Sequence, residues 1–191
     1  MKDIKDYCPK DKQAWRKWLD RNHEKEEAIW LIFYKKSSPK YNLSWSDAVD
    51  EALCYGWIDS VKKTIDSEKY RQYFSKRKPN SIWSRINKDK IEHLTSNNLM
   101  SEAGYKTVEV AKENGSWTAL DDVEALIMPN DLKDAFDQRA GALEYYEGLS
   151  KSDKKILLSW IALAKRPETK QKRIIEIAEN ASKNQKPKPF R

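Results

Sequence analysis

The sequence predicts an α+β fold, with a small, mostly antiparallel sheet plus helices in the N-terminal half and an all-helical C-terminal half. Three observations carry this. Every strand-like run of alternating or continuous apolar residues lies before Lys76. Beyond it, apolar residues recur only at helical spacing. Eight Trp, nine Tyr and four Phe among 191 residues supply a core although 35% of the chain is charged. A disordered chain of that charge content would be poor in aromatics. A chain of this length buries roughly 70% of its unfolded surface, so neither disulfide nor metal is needed for folding.

The elements follow in order. Pro9 opens a first helix, where its missing N–H costs nothing, and Ala14, Trp15, Trp18 and Leu19 carry its apolar face to Asn22. Ala28–Tyr34 (AIWLIFY) is a short aromatic and β-branched run, a buried strand. Ser44 with Asp47 caps a second helix whose stripe is Trp45, Ala48, Val49, Ala52 and Leu53, and Gly56 closes it. Residues 57–65 and 69–75 form a hairpin turning at 66–68, with Tyr70, Gln72 and Phe74 on one face of its second strand.

The remainder reads as helices. One covers 81–96 through Ile82, Ile86, Ile91 and Leu94, and a second runs from Ser101 to Gly115. Pro129 opens a short helix with Leu132, Ala135 and Phe136, and Leu143, Tyr146 and Leu149 mark another. Ser150 caps a helix with the stripe Ile156, Leu157, Trp160, Ile161 and Ala164, and Thr169 starts the last one after Pro167. Trp30, Trp45, Trp160, Leu53 and Ile161 are expected in the core. Residues 1–125 form an α+β domain, 126–185 a helical domain, and 186–191 a flexible tail.

The N-terminal segment lacks the apolar stretch of a signal peptide, and no apolar run approaches the roughly 20 residues of a membrane span. A cytoplasmic protein without membrane insertion is expected. Cys8 and Cys54 are then reduced. Cys54 adjoins the second helix's stripe and reads as a buried, inert thiol rather than a nucleophile. His23 and His93 lie in polar helix-end contexts, without the spacing of a zinc site. The acids Asp121, Asp122 and Glu124 read as a solvated loop. No metal and no cofactor are expected. Charge is segregated: residues 61–100 hold 10 basic and 4 acidic side chains, 101–150 hold 4 and 11, and 151–191 hold 12 and 4. Either the faces of one fold neutralise each other, or the basic segments converge on an anion.

Four stretches carry a resemblance: ALCYGWID at 52–59, FSKRKPNSIWSRIN at 74–87, MPNDLKDAF at 128–136 and SWIALAKRPETKQKRI at 159–174. Together they resemble the YdeI/OmpD-associated family, also called bacteriocin-protection proteins, from about Trp15 to Lys183. The last third resembles the helical domain for which that family is named. Ser75-Lys76 stands where the family pattern has Thr-Pro, and Lys170 where it has Arg. The family label describes a stress or antimicrobial-peptide resistance phenotype and implies no reaction.

Trp57, Asp59, Arg77, Ser81, Trp83, Ser84 and Asn87 form the candidate ligand site. Guanidinium forks grip phosphate or carboxylate, hydroxyls and helix N-terminal N–H groups assist, and an indole stacks on a planar ligand. The hairpin should return Arg77 to Trp57 and Asp59, letting the carboxylate orient the guanidinium. Ordinary capping explains Ser81 and Ser84 equally well. Lys165, Arg166, Lys170 and Arg173 form a secondary basic patch, for which a solvated helix end is the alternative. The residues point to a non-enzymatic binding protein for an anionic small molecule or nucleic acid, with the C-terminal helices available to a protein partner. The alternative is an enzyme working from an Asp59/Arg77 cleft on an anionic small molecule.

Overall fold

The computed structural model describes residues 4–190. They divide into two compact units, the first ending at Trp117 and the second beginning at Thr118. The first carries β1 (Asp6–Tyr7), α1 (Lys12–Asn22), β2 (Ala28–Tyr34), α2 (Trp45–Cys54), β3 (Trp57–Thr64), β4 (Lys69–Lys76), α3 (Arg85–Ser96) and α4 (Glu102–Glu113). The second carries α5 (Asp121–Glu124), α6 (Asn130–Asp137), α7 (Ala142–Glu147), α8 (Lys151–Ala162) and α9 (Pro167–Ala181). The α+β class and the helical C-terminal half are as the sequence predicts.

The sheet order is β1-β2-β4-β3. The pairs β2–β4 and β4–β3 are antiparallel, and only the two-residue β1 runs parallel to β2. β1 is too short to leave a periodic signal. In β2, Ile29, Leu31 and Phe33 are buried and the alternate residues only partly so, the period of a strand with one face on the core. That face packs with Trp15 and Leu19 of α1 and with Ala48, Val49, Ala52 and Leu53 of α2. Ser44 caps α2 through the Asp47 N–H, and Gly56 turns the chain out of it at φ +71°.

Several local expectations are corrected. α1 starts at Lys12, capped by Asp11, whose carboxylate accepts from the Ala14 N–H at 2.7 Å. Pro9 stays outside the helix, its carbonyl accepting from Asn42 Nδ2. α3 starts at Arg85 behind a Ser84 cap, because the stretch before it runs extended and the Trp83 N–H donates to Ser116 O. The fully buried indoles are Trp15, Trp57 and Trp83. Trp30 sits on the other face of β2, under the guanidinium of Arg71 and the ammonium of Lys63. Trp45 is 46% exposed at the first position of α2, and Trp160 is half-buried. Leu53 and Ile161 are core as expected.

The second unit has its own core of Leu132, Phe136, Tyr146, Leu157, Leu158, Ile161, Ile174 and Ile177. Its α5, in the acidic stretch read as a loop, contributes Val123 to that core. At the chain end Lys188–Phe190 form a 3-10 turn, and Phe190 packs against the same cluster. Arg191 lies outside the described residues.

Candidate functional site

Two glycines set the geometry of a cavity in the first unit. A Cβ on Gly104, in the first turn of α4, would lie 2.3 Å from Cys54 O. One on Gly56 would lie 2.3 Å from Thr107 Oγ1. Their absence lets α4 pack directly on the C-terminal end of α2, where Ser101 donates to Cys54 O through both its N–H and its hydroxyl. Between these elements, the end of α1 and the exit of β4 lies a cavity of about 440 Å³. Its apolar wall is Tyr55, Trp57, Pro79, Ala103 and Val110, and its polar wall is His23, Glu24, Lys76, Arg77, Lys106 and Thr107.

Arg77 is the unusual member. Its N–H extends the β3–β4 ladder by one bond, donating to Gly56 O at 2.9 Å. Its guanidinium lies 3.7 Å over the centroid of the Trp83 indole. Nη2 donates to Ile82 O at 2.7 Å. The residue is 8% exposed, yet Nε and Nη1 are buried without a hydrogen-bond partner. No carboxylate of the described residues pairs with it, and burial pulls its pKa down to about 10. Buried charges are ordinarily paired, so an orphaned guanidinium is a marker of function.

Around it, Lys76 donates to Glu27 and to Glu24 O, while Lys106 is exposed on α4. Trp57 Nε1 donates to His23 O, tying the cavity's floor to the end of α1. His23 Nδ1 lies 2.9 Å from Leu19 O, which calls for a proton on Nδ1 and leaves Nε2 as the acceptor of the neutral ring. Burial pushes the Tyr55 phenol above its ordinary pKa. This arrangement can neutralise an anion and hold an apolar body beside it.

The structure brings Trp57, Arg77 and Trp83 together but not the rest of the expected constellation. Asp59 lines a separate cavity of about 390 Å³ with Trp45, Lys62, Tyr70 and Gln72. Its Oδ2 accepts from Trp45 Nε1 and Gln72 Nε2 rather than from Arg77. The reason is register: Asp59 stands opposite Phe74, three positions up the hairpin from Arg77. Ser84 and the Asn87 N–H are spent on the α3 cap, and Ser81 donates its N–H to Lys78 O in a turn.

The secondary patch also divides. Lys170 is paired with Asp131 at 2.8 Å, and Arg173 donates to Trp160 O. Lys165 and Arg166 are exposed.

Sequence reasoning missed the contribution of α4 and of His23. Ala103, Thr107 and Val110 recur at helical spacing beside the Val108–Ala111 stripe, a second face that the pattern alone could have disclosed.

These features define a two-unit protein: an α+β unit around a partly apolar cavity with a buried cation, and a helical unit with a separate core. The chain belongs to the family defined by a domain of unknown function (DUF8412), which matches residues 7–107, more than half of its length. It also carries a Bacteriocin-protection, YdeI or OmpD-Associated domain over residues 125–184. The YdeI/OmpD-associated resemblance therefore holds for the helical unit. The two N-terminal motifs at 52–59 and 74–87 fall instead in the region matched by the domain of unknown function. No curated protein and no solved structure matches the chain.

Proposed function

We propose that the first unit is a non-enzymatic binding module for a small anionic ligand with an apolar body, its anionic group seated on Arg77. The observation supporting this reading is the pair of unbonded N–H groups on a buried guanidinium that lines a cavity. An incoming carboxylate or phosphate would give one of those donors an acceptor and the buried charge its counter-ion. Trp83 holds the guanidinium plane by stacking, which pre-organises the fork. Lys106 at the rim adds attraction, and Tyr55, Trp57 and Val110 supply apolar contact. The Asp59/Arg77 enzyme reading gains no support from this geometry, because the two side chains line different cavities.

The test is calorimetric titration of the full chain with benzoate, inorganic phosphate and adenosine monophosphate, repeated on Arg77→Lys. A point charge cannot replace the planar fork. Binding of at least one anion to the wild type and a loss of tenfold or more in Arg77→Lys are expected. Equal affinity in both proteins, or no binding of any of the three, would refute the reading.

A further inference from the structure

We propose that the second cavity, around Asp59, is a binding site for an organic ammonium group. Its carboxylate is built into place. Gln72, only 5% exposed, donates Nε2 to Asp59 Oδ2 at 2.8 Å and to Ser60 O at 3.0 Å. Trp45 Nε1 donates to the same Oδ2 at 2.9 Å. Among the described residues, Asp59 Oδ1 has no hydrogen-bond partner and no cation lies at ion-pair distance. A carboxylate with one oxygen fixed by two donors and the other left open is a directed acceptor.

The aromatic surface beside it is equally fixed. Tyr70 is stacked on Phe33 at 5.1 Å with an interplanar angle of 5°. The ammonium of Lys62 stands 4.1 Å from the Tyr70 ring centroid, within cation–π range. Trp45 is 46% exposed although its indole N–H is anchored, so the ring is held in solvent rather than swept inward. A ring face and an open carboxylate lining one cavity match the two demands of an alkylammonium: quadrupole attraction and a counter-charge.

The chain itself supplies an occupant of this kind. The β3–β4 register shifts between Asp59 and Lys62, so Asp59 opposes Phe74 while Lys62 opposes Gln72. In a regular strand, residues three apart face opposite ways. The bulge puts Lys62 on the Asp59 face, and bulges commonly re-aim a side chain beside a functional site. Lys62 is thus a weak internal competitor that an external ammonium displaces.

Asp59→Asn keeps an oxygen for Trp45 and Gln72 but removes the charge, so it separates recognition from folding. Lys62→Gln removes the competitor and its repulsion. The experiment follows the Trp45 indole N–H resonance of the full chain by NMR, identified with Trp45→Phe, during titration with n-butylammonium chloride against sodium chloride of equal ionic strength. A saturable shift is expected in the wild type, about fivefold tighter in Lys62→Gln from the lost like-charge repulsion, and at least about tenfold weaker in Asp59→Asn. The same titration with acetyl-Gly-Lys-Gly-amide separates the two sources of such a group. A peptide at least tenfold tighter than the amine assigns a lysine side chain of a partner, and equal affinities assign a free amine. Absence of a saturable shift in both the wild type and Lys62→Gln overturns the proposal, as does undiminished binding by Asp59→Asn. Arg77 lines the other cavity, so Arg77→Met leaves this result unchanged whatever becomes of anion binding.

Discussion

Replacing Arg77 by Met tests whether its buried charge serves the fold or a ligand. Burial pulls its pKa down to about 10, which corresponds to about 3 kcal/mol of cost to the folded state at neutral pH. Met removes that cost. It also removes the hydrogen bond from Nη2 to Ile82 O, about 2 kcal/mol for a charged donor, and the stack on Trp83, about 1 kcal/mol. A thioether against an indole restores part of the last. Gain and loss cancel, so Arg77→Met should change the unfolding free energy by less than about 1 kcal/mol. Cutting one partner out of a buried ion pair would cost about 3–5 kcal/mol. Because the folded-state pKa lies below the unfolded one, the charged form is disfavoured by folding throughout the neutral range. Its cost is present below about pH 10 and is relieved only as pH rises through that value. The urea midpoint difference between wild type and variant should therefore be flat from pH 6 to 8. Added anion should stabilise the wild type and not the variant, through mass action on the folded state. A loss of about 3 kcal/mol or more in Arg77→Met would refute the reasoning, since it would mean that the guanidinium is a structural strut.

Gly104→Ala should destabilise the first unit by about 2–3 kcal/mol, because the new methyl would meet the Cys54 carbonyl, which is backbone and cannot swing aside; a urea midpoint unchanged from wild type would contradict the packing of α4 on α2. Cys54 is fully buried, and burial lifts its thiol to about 11, so at pH 8 only about one molecule in a thousand carries the reactive thiolate. A thiol reagent should label the exposed Cys8 alone under native conditions and both cysteines in denaturant, and rapid native labelling of two thiols would show that Cys54 is reached from solvent.

Local signals in the sequence were enough for most elements. The limits of β2 follow from the run AIWLIFY, and the caps Ser44, Ser101 and Ser150 stand where helices begin. These features act within a few residues, so they survive in a one-dimensional pattern. Aromatic burial was less legible. Trp30, Trp45 and Trp160 each lie on an apolar run or a helical stripe, but which face of a strand or which turn of a helix meets the core is decided by partners distant in sequence. Arg71, from β4, covers Trp30, and Asp59, from β3, fixes Trp45. The candidate site failed in the same way. Asp59 and Arg77 are joined by a hairpin, but the three-position offset in its register places them in different cavities. The cavity that holds Arg77 depends on α4, more than twenty residues beyond it, and on the absence of two Cβ atoms. Helical spacing in α4 was visible, whereas the close approach that made one face of it a cavity wall was not.

The two cavities stand at opposite ends of α2, and the sign of each matches the helix. Trp45, its first residue, holds the Asp59 carboxylate. Gly56, two residues past its last, receives the Arg77 N–H, and Tyr55 and Gly56 line the cavity around that guanidinium. A helix carries partial positive charge at its N-terminus and partial negative charge at its C-terminus. Its C-terminal end therefore turns partial negative charge toward the cavity that holds the cationic Arg77. The effect is typically 0.3–1 kcal/mol per charge and rises toward ~2 kcal/mol where the site is partly buried. That is too little to replace a counter-ion for Arg77, whose buried charge is left without one among the described residues. A neighbouring carboxylate would have compensated the charge more fully, and would also have closed it to any ligand. Without one, Nε and Nη1 keep their unmet donor capacity, as Asp59 Oδ1 keeps its unmet acceptor capacity beside the first residue of the same helix.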